Sequence, residues 1–280
     1  MWLALARILR AVLHGVHGIA IVLWRFPRLD EAGRQARIQW WSAGMLRCLG
    51  MGLEVQGQFR TGGTLIVANH ISWIDIMAIH AVCPRARFVS KADVQEWPLV
   101  NRLVDCAGTL YVRREQRRDA MRVMHEMAQA LKNGHCVAVF PEGTTGNGRA
   151  LLPFHANLLQ SAIAVEAPVQ PVALRYRDRD HAISPAVEFL GETTLTQSLW
   201  RIACGRGVVV TVNALTARSS AHADRRSLAA VLRSDLARAL GEEVGEEVGE
   251  ELGEEGGPSC GEHADAAPAV LGDTPSRGAA

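Results

Sequence analysis

The hydrophobic positions along the chain change their spacing near residue 50. Residues 1–24, MWLALARILRAVLHGVHGIAIVLW, are apolar almost throughout, and 35–49 carries Trp40, Trp41, Met45 and Leu46 beside Arg34, Arg37 and Arg47. Both stretches predict helices, with Pro27 breaking the chain between them. From residue 52 short β-rich runs alternate with helical ones. The runs predict strands at 53–56, 64–68, 87–89, 109–112, 136–140, 169–175, 187–190 and 208–213, and helices at 74–82, 117–132, 155–165 and 227–240. Ala120, Val123, Met124, Met127 and Leu131 recur at helical spacing, with Gly134 where a helix C-cap belongs. Leu228, Val231, Leu232, Leu236 and Leu240 form a second such stripe, ended by Gly241. These stripes are read as core. The alternation predicts an α/β fold, a central mixed β-sheet flanked by helices, with a two-helix membrane-associating motif in front of it. The predicted divisions are 1–50 for that motif, 51–240 for the α/β domain and 241–280 for a tail.

The tail reads GEEVGEEVGEELGEE before Pro, Gly and Ala take over. Glycine at every fourth position opposes a helix and the glutamates repel one another, so 241–280 is expected to be disordered. It serves either as a plain solvated tail or as an electrostatic mask over the rest. The tail also changes the meaning of the net charge of +1 for all 280 residues. Residues 241–280 hold eleven of the 29 acids and one of the 30 bases, which leaves the first 240 residues at +11. A basic body of that kind suits a nucleic acid, an anionic membrane surface or a phosphorylated substrate. Two Tyr and six Phe, with no recognisable stacking module, argue against nucleic acid.

Six cysteines at 48, 83, 106, 136, 204 and 260 show neither CxxC nor Cys/His pairs at ligand spacing. No metal site and no disulfide framework is expected, and the thiols are read as mostly buried and reduced. The N-terminal apolar run from Ala11 to Trp24 is interrupted by His14 and His17 and falls short of the ~20 residues of a spanning helix. Arg7 and Arg10 lie inside the apolar stretch, which does not suit a signal peptide. Trp2 and Trp24 at its ends, with Arg25 and Arg28 close by, suit a helix in the interfacial plane of a membrane. The competing reading is a pair of helices buried against the core.

Candidate chemistry begins where the strand TLIVA ends, at Asn69-His70-Ile71-Ser72-Trp73-Ile74-Asp75. The spacing sets the Asp75 carboxylate just over one helical turn beyond the His70 imidazole. There it can take a hydrogen bond from one ring nitrogen and leave the other free as a base. This is the His–Asp half of a triad without a protein nucleophile, and the attacking hydroxyl would be the substrate's. Three more segments follow: GTLYVRR from Gly108 to Arg114, FPEGTTG from Phe140 to Gly146, and VQPVALR from Val169 to Arg175. A loop such as PEGTTGNG brings N–H groups and hydroxyls together in a way that suits an anion or an oxyanion. Dinucleotide, P-loop and hydrolase-elbow motifs (GxGxxG, GxxxxGK[ST], GxSxG) are all missing.

In this order the four segments resemble those of the glycerolipid acyltransferases, the family that contains 1-acylglycerol-3-phosphate acyltransferase. NHISWID matches its NHx4D motif, GTLYVRR resembles its Gly-x-x-Phe-Ile-x-Arg, and FPEGT and VQPVAL resemble the third and fourth motifs. The resemblance spans residues 50–215. It implies transfer of a fatty acyl group from acyl-CoA or acyl carrier protein, with no tightly bound cofactor, to the hydroxyl of lysophosphatidic acid. His70 would be the base and Asp75 its partner. Arg114 would clamp the phosphate, Glu142, Gly143 and Thr144 would shape the acceptor site, and Asn69, Ser72, Lys91, Gly108 and Thr145 would complete it. Two departures stand out: Thr145 occupies the place where the family often has Arg, and Arg113 the place of an Asp. They leave open another acceptor, such as a lyso-ornithine lipid, or a non-catalytic membrane-binding role. The implied location is the cytoplasmic face of the inner membrane, against an anionic bilayer.

Overall fold

A computed structural model describes residues 1–91, 100–112 and 117–241. Two helices, α1 (Trp2–Trp24) and α2 (Glu31–Cys48), lead into the sheet, separated by a 3-10 turn over Phe26–Arg28 that contains Pro27. The remaining order is β1 (Gly52–Gly57), β2 (Thr64–Ala68), α3 (Ile74–Val82), β3 (Ala86–Lys91), α4 (Val100–Cys106), β4 (Leu110–Val112), α5 (Arg117–Lys132), β5 (Cys136–Val139), α6 (Gln160–Ile163), β6 (Val169–Arg177), α7 (Leu195–Cys204), β7 (Val209–Ala214) and α8 (Arg225–Leu240). The seven strands form one sheet in the order β1-β7-β6-β2-β5-β3-β4. All neighbouring strands are parallel except β6 and β7, which run antiparallel, so the sheet is mixed.

Period-two alternation divides the core into two layers. Ile66, Ala68, Ala138, Val172, Leu174 and Tyr176 face a layer shared with Leu46 of α2, Leu49 just after it, Ile74 and Ile79 of α3 and Ile202 of α7. Leu65, Val67, Val137, Val139 and Val169 face the other, filled by Met127, Leu131, Leu232 and Leu236 of α5 and α8. The central strands are buried on both faces, which explains why TLIVA and CVAV read as unbroken apolar runs.

Some sequence expectations need correction. The strand expected at 187–190 is absent. Ser184 caps a 3-10 turn over Pro185–Val187 instead, with Val187 buried in the core. The helix expected at 155–165 is a 3-10 turn, Ala156–Leu159, running into the four-residue α6. Helices α4 and α7 lie outside the segments whose spacing predicts a helix. α7 is announced by a capping box in which Thr194 accepts from Gln197 N and the Gln197 side chain reaches back to the N-cap backbone. Of the described cysteines only Cys83 and Cys136 are buried, while Cys48 and Cys106 are half-buried and Cys204 is exposed.

The N-terminal helix is inverted in its amphipathicity. Its buried residues are the small Ala4, Ala11 and Gly18, joined by Ile21, whereas Trp2, Leu3, Leu9, Val12, Leu13, Val16 and Trp24 are exposed. A Cβ on Gly18 would lie 2.2 Å from the Trp41 indole nitrogen, so α1 and α2 approach as closely as a glycine permits. Trp41 Nε1 donates to His14 O at 3.0 Å, and His14 Nε2 meets Trp41 O at 2.8 Å. Arg7 Nη1 donates to Ala203 O (2.8 Å) and Gly205 O (2.6 Å) at the C-terminus of α7, where carbonyls lack helical partners. At 23 residues α1 is long and apolar enough to cross a membrane by length and composition, longer than the apolar run alone suggested.

Candidate active site

The ends of β2 and β5 lie side by side, with Val67 paired to Val139. From β2 the chain turns through α3 toward β3, on one side of this pair. From β5 it passes through α6 to β6, on the other side. The two connections cross on opposite faces of the sheet, α3 in the layer of Ile66 and Ala68 and α6 in that of Leu65 and Val67, and a crevice lies at the carboxyl ends of these adjacent parallel strands. Asn69, His70, Ile71, Glu142, Gly146, Gly148, Ala150, Leu151 and Leu240 line it.

His70 lies in the loop between β2 and α3, and Asp75 in the first turn of α3. Their pairing is therefore not that of two residues a turn apart on one helix. The loop wraps around the carboxylate, whose Oδ2 accepts from His70 Nδ1 (2.8 Å), Ile71 N (2.7 Å) and Ser72 N (2.9 Å). Oδ1 accepts from the Tyr176 hydroxyl at 2.6 Å. Asp75 is fully buried, and these donors replace the water it has lost. An ionised carboxylate only accepts, so Nδ1 carries the imidazole proton and Nε2 is left with a lone pair. Among the described residues Nε2 has no protein partner. The ring stacks on Phe140, centroids 4.0 Å apart and planes 10° from parallel, and its side chain is 20% exposed at the crevice. One edge of the base is thus fixed and the other is accessible.

The 140–148 loop holds the backbone of His70 from both sides. Glu142 Oε1 accepts from His70 N at 2.8 Å, and Gly146 N donates to His70 O at 2.7 Å. Glu142 Oε2 accepts from Leu152 N at 3.1 Å. Glu142 is 5% exposed, and burial pushes its carboxyl up to about 7 despite those two bonds. The N–H of Gly143, at φ +70°, is also spent, on Phe140 O. The amides of Gly143 and Gly146 thus tie the loop together and to His70.

The other sequence candidates are distributed as follows. The Asn69 amide bridges to β6, donating to Leu174 O (2.9 Å) and accepting from Leu174 N (2.7 Å), which anchors the loop where the β2 ladder ends. Ser72 is buried, and its N–H caps Asp75. Thr144 is exposed, and the Thr145 hydroxyl donates to Phe189 O. Arg149, the nearest cation in that loop, lies 3.7 Å from Glu188. Gly108 is not among the residues lining the crevice and lies before β4, beside Arg87, at φ +69°. Lys91 is the last residue of β3, its backbone paired with Val112. Arg113 and Arg114 lie outside the described residues. Sequence reasoning missed Tyr176, Phe140 as the stacking partner of His70, and Leu240 at the crevice wall. The available signal for Tyr176 was a phenol on the inward-facing positions of an apolar strand, where a buried hydroxyl needs a partner.

Comparison with known proteins bears on the family and the fold. The family described as Acyltransferase matches residues 52–175. A lyso-ornithine lipid O-acyltransferase of Pseudomonas aeruginosa is 36% identical over 218 residues, 76% of this chain and 83% of that protein. A 1-acyl-sn-glycerol-3-phosphate acyltransferase of Neisseria meningitidis is 35% identical over 185 residues, 65% of this chain and 72% of that one. In fold, the chain is similar to the crystal structure of the 1-acyl-sn-glycerophosphate acyltransferase from Thermotoga maritima. That match has a TM-score of 0.61 and 20% identity, and covers 84% of this chain and 96% of the other.

Proposed function

The chain belongs to the acyltransferase family, and we propose that it moves a fatty acyl group from a thioester, acyl-CoA or acyl carrier protein, to the free hydroxyl of a lysolipid. The observation that carries this reading is the His70 Nδ1–Asp75 Oδ2 bond of 2.8 Å beside an open crevice. His70 Nε2 takes the proton of the lysolipid hydroxyl as its oxygen attacks the thioester carbonyl. Collapse of the tetrahedral intermediate breaks the carbon–sulfur bond, and the proton passes from His70 to the leaving thiolate. Asp75 holds the tautomer and stabilises the imidazolium between these steps. None of the described residues lining the crevice is Ser or Cys, consistent with direct transfer without an acyl-enzyme.

The proposed acceptor is lysophosphatidic acid, with Arg114 as the bidentate phosphate contact. A second acceptor, lyso-ornithine lipid, is favoured by a specific observation: the place where the family often has Arg holds Thr145, whose hydroxyl bonds Phe189 O, so this position supplies no cation to a phosphate. The Glu142 carboxylate on the crevice wall also suits an acceptor without a phosphate dianion. The exposed apolar side of α1 supports the reading that the protein works on a bilayer surface, where both lysolipid and product reside.

The deciding experiment offers lysophosphatidic acid and lyso-ornithine lipid side by side to the full chain in detergent, with a labelled acyl thioester and His70→Ala as control. Transfer to lysophosphatidic acid, with Arg114→Ala raising the KM for that acceptor alone, supports the first acceptor. Transfer to the ornithine lipid replaces it by the second. No transfer to either by folded protein overturns the enzymatic reading.

A further inference from the structure

The carboxylate that orients His70 is gripped from its far side by a residue outside all four sequence motifs. Tyr176 follows Val172 and Leu174 on the face of β6 that meets the layer under α3, and it is 1% exposed. The span matched by the family ends at residue 175, one position before it. Its hydroxyl reaches Asp75 Oδ1 at 2.6 Å, whereas the His70 ring and the amides of Ile71 and Ser72 all converge on Oδ2. Tyr176 is thus the donor on Oδ1 among the described residues.

A carboxylate held at one oxygen only can still rotate, and a buried oxygen without a donor makes the ionised form costly. The phenol answers both needs. Burial and the negative charge of Asp75 push its own ionisation well above the ordinary tyrosine value, so it stays a donor at every working pH. The ionisable groups facing this carboxylate are His70 from the β2–α3 loop, Tyr176 from β6 and, through its charge, Glu142 from the β5 loop.

We propose that Tyr176 is a positioning residue for acyl transfer that acts through Asp75. It fixes the rotation of the carboxylate, so that Oδ2 stays on His70 Nδ1 and Nε2 stays free for the acceptor hydroxyl. As far as rate is concerned, this rests on the acyl-transfer reading above. The hydrogen-bond arrangement does not.

The test is Tyr176→Phe in the full chain, a change that keeps ring volume and removes one donor. The expected result is a fall in kcat of roughly tenfold, the scale of one hydrogen bond to a charged group. The KM for donor and acceptor stays unchanged, and the acid limb of the rate profile moves to higher pH. In protein labelled at histidine nitrogen, the Nδ1–H proton signal of His70, identified by its loss in His70→Ala, changes its chemical shift. In an Asp75→Asn background the same substitution adds no further loss. An unchanged kcat and pH limb with an unmoved signal overturns the proposal. So does a rise in both KM values that accompanies any loss of rate, or an undiminished loss in the Asp75→Asn background. A wild-type chain inactive on both lysolipids overturns the function instead, and the proton signal then decides the role of Tyr176 by itself.

Discussion

His70 Nδ1 and Asp75 Oδ2 lie 2.8 Å apart although one residue is in a loop and the other in the first turn of a helix. The loop brings them together because the carboxylate also accepts the N–H groups of Ile71 and Ser72, folding the loop before α3 around itself while it orients the base. Asp75→Asn replaces an acceptor by an amide that offers one oxygen and two N–H groups. The imidazole then loses its fixed tautomer. Transfer should fall by about 10²–10⁴, the range of general-base assistance. Initial rates with a labelled thioester measure it, and a variant with unchanged turnover would remove Asp75 from the mechanism.

Much of the fold was legible because period-two and helical spacings record burial directly. Strand β2 and helices α3 and α5 lie at the predicted residues. The failures have physical causes. Val187–Leu190 looks like a strand by composition, but Pro185 starts a 3-10 turn stabilised by the Ser184 side chain, and Val187 is buried without any strand to pair with. The His–Asp pair could be read from its spacing, but not the wrapped loop that makes it. Tyr176 is separated from Asp75 by a hundred residues of chain, and only the core layer shared by α3 and β6 brings them together. Asn69 looked like part of a binding motif. Its amide is taken up by Leu174, a contact that depends on a strand pairing invisible in the local sequence.

Glu142 supplies a pH test. Its carboxyl is raised from 4.5 to about 7, chiefly by burial, so the folded protein holds that proton more tightly than the unfolded chain does. The stability this contributes is fully present below about pH 4.5 and is lost as pH rises through about 7. Glu142→Gln removes the titration. The wild-type advantage in Tm over this variant should therefore shrink between those two pH values. Parallel Tm curves would show that Glu142 does not titrate in that window.

Gly18 tests the docking of the N-terminal helix. Its Cα faces the Trp41 ring, and a Cβ would come within 2.2 Å of Nε1. Gly18→Ala must push the indole away from His14 O, with an overpacking cost of about 1–3 kcal/mol. Tm should fall accordingly, while kcat on a dispersed acceptor changes little because His70 and Asp75 are not involved. An unaltered Tm would mean that the two helices are not packed this closely.

The last test concerns the outward face of α1. Small residues face the body and large ones face out, the reverse of a helix that buries its apolar side in its own protein. Leu9, Leu13 and Val16 are each more than half exposed, at 59%, 59% and 60%. Arg7 meanwhile is held by the end of α7, so the helix stays attached to the body while its other side is offered to the surroundings. Replacing Leu9, Leu13 and Val16 by Ser should abolish flotation with anionic vesicles and leave the hydrogen bonds of Arg7 intact. Turnover of an acceptor embedded in vesicles should then drop far more than turnover of the same acceptor in detergent micelles. If flotation persists in the triple variant, the membrane contact lies on another surface. If both turnovers drop equally, α1 serves the fold of the crevice and not its access to lipid.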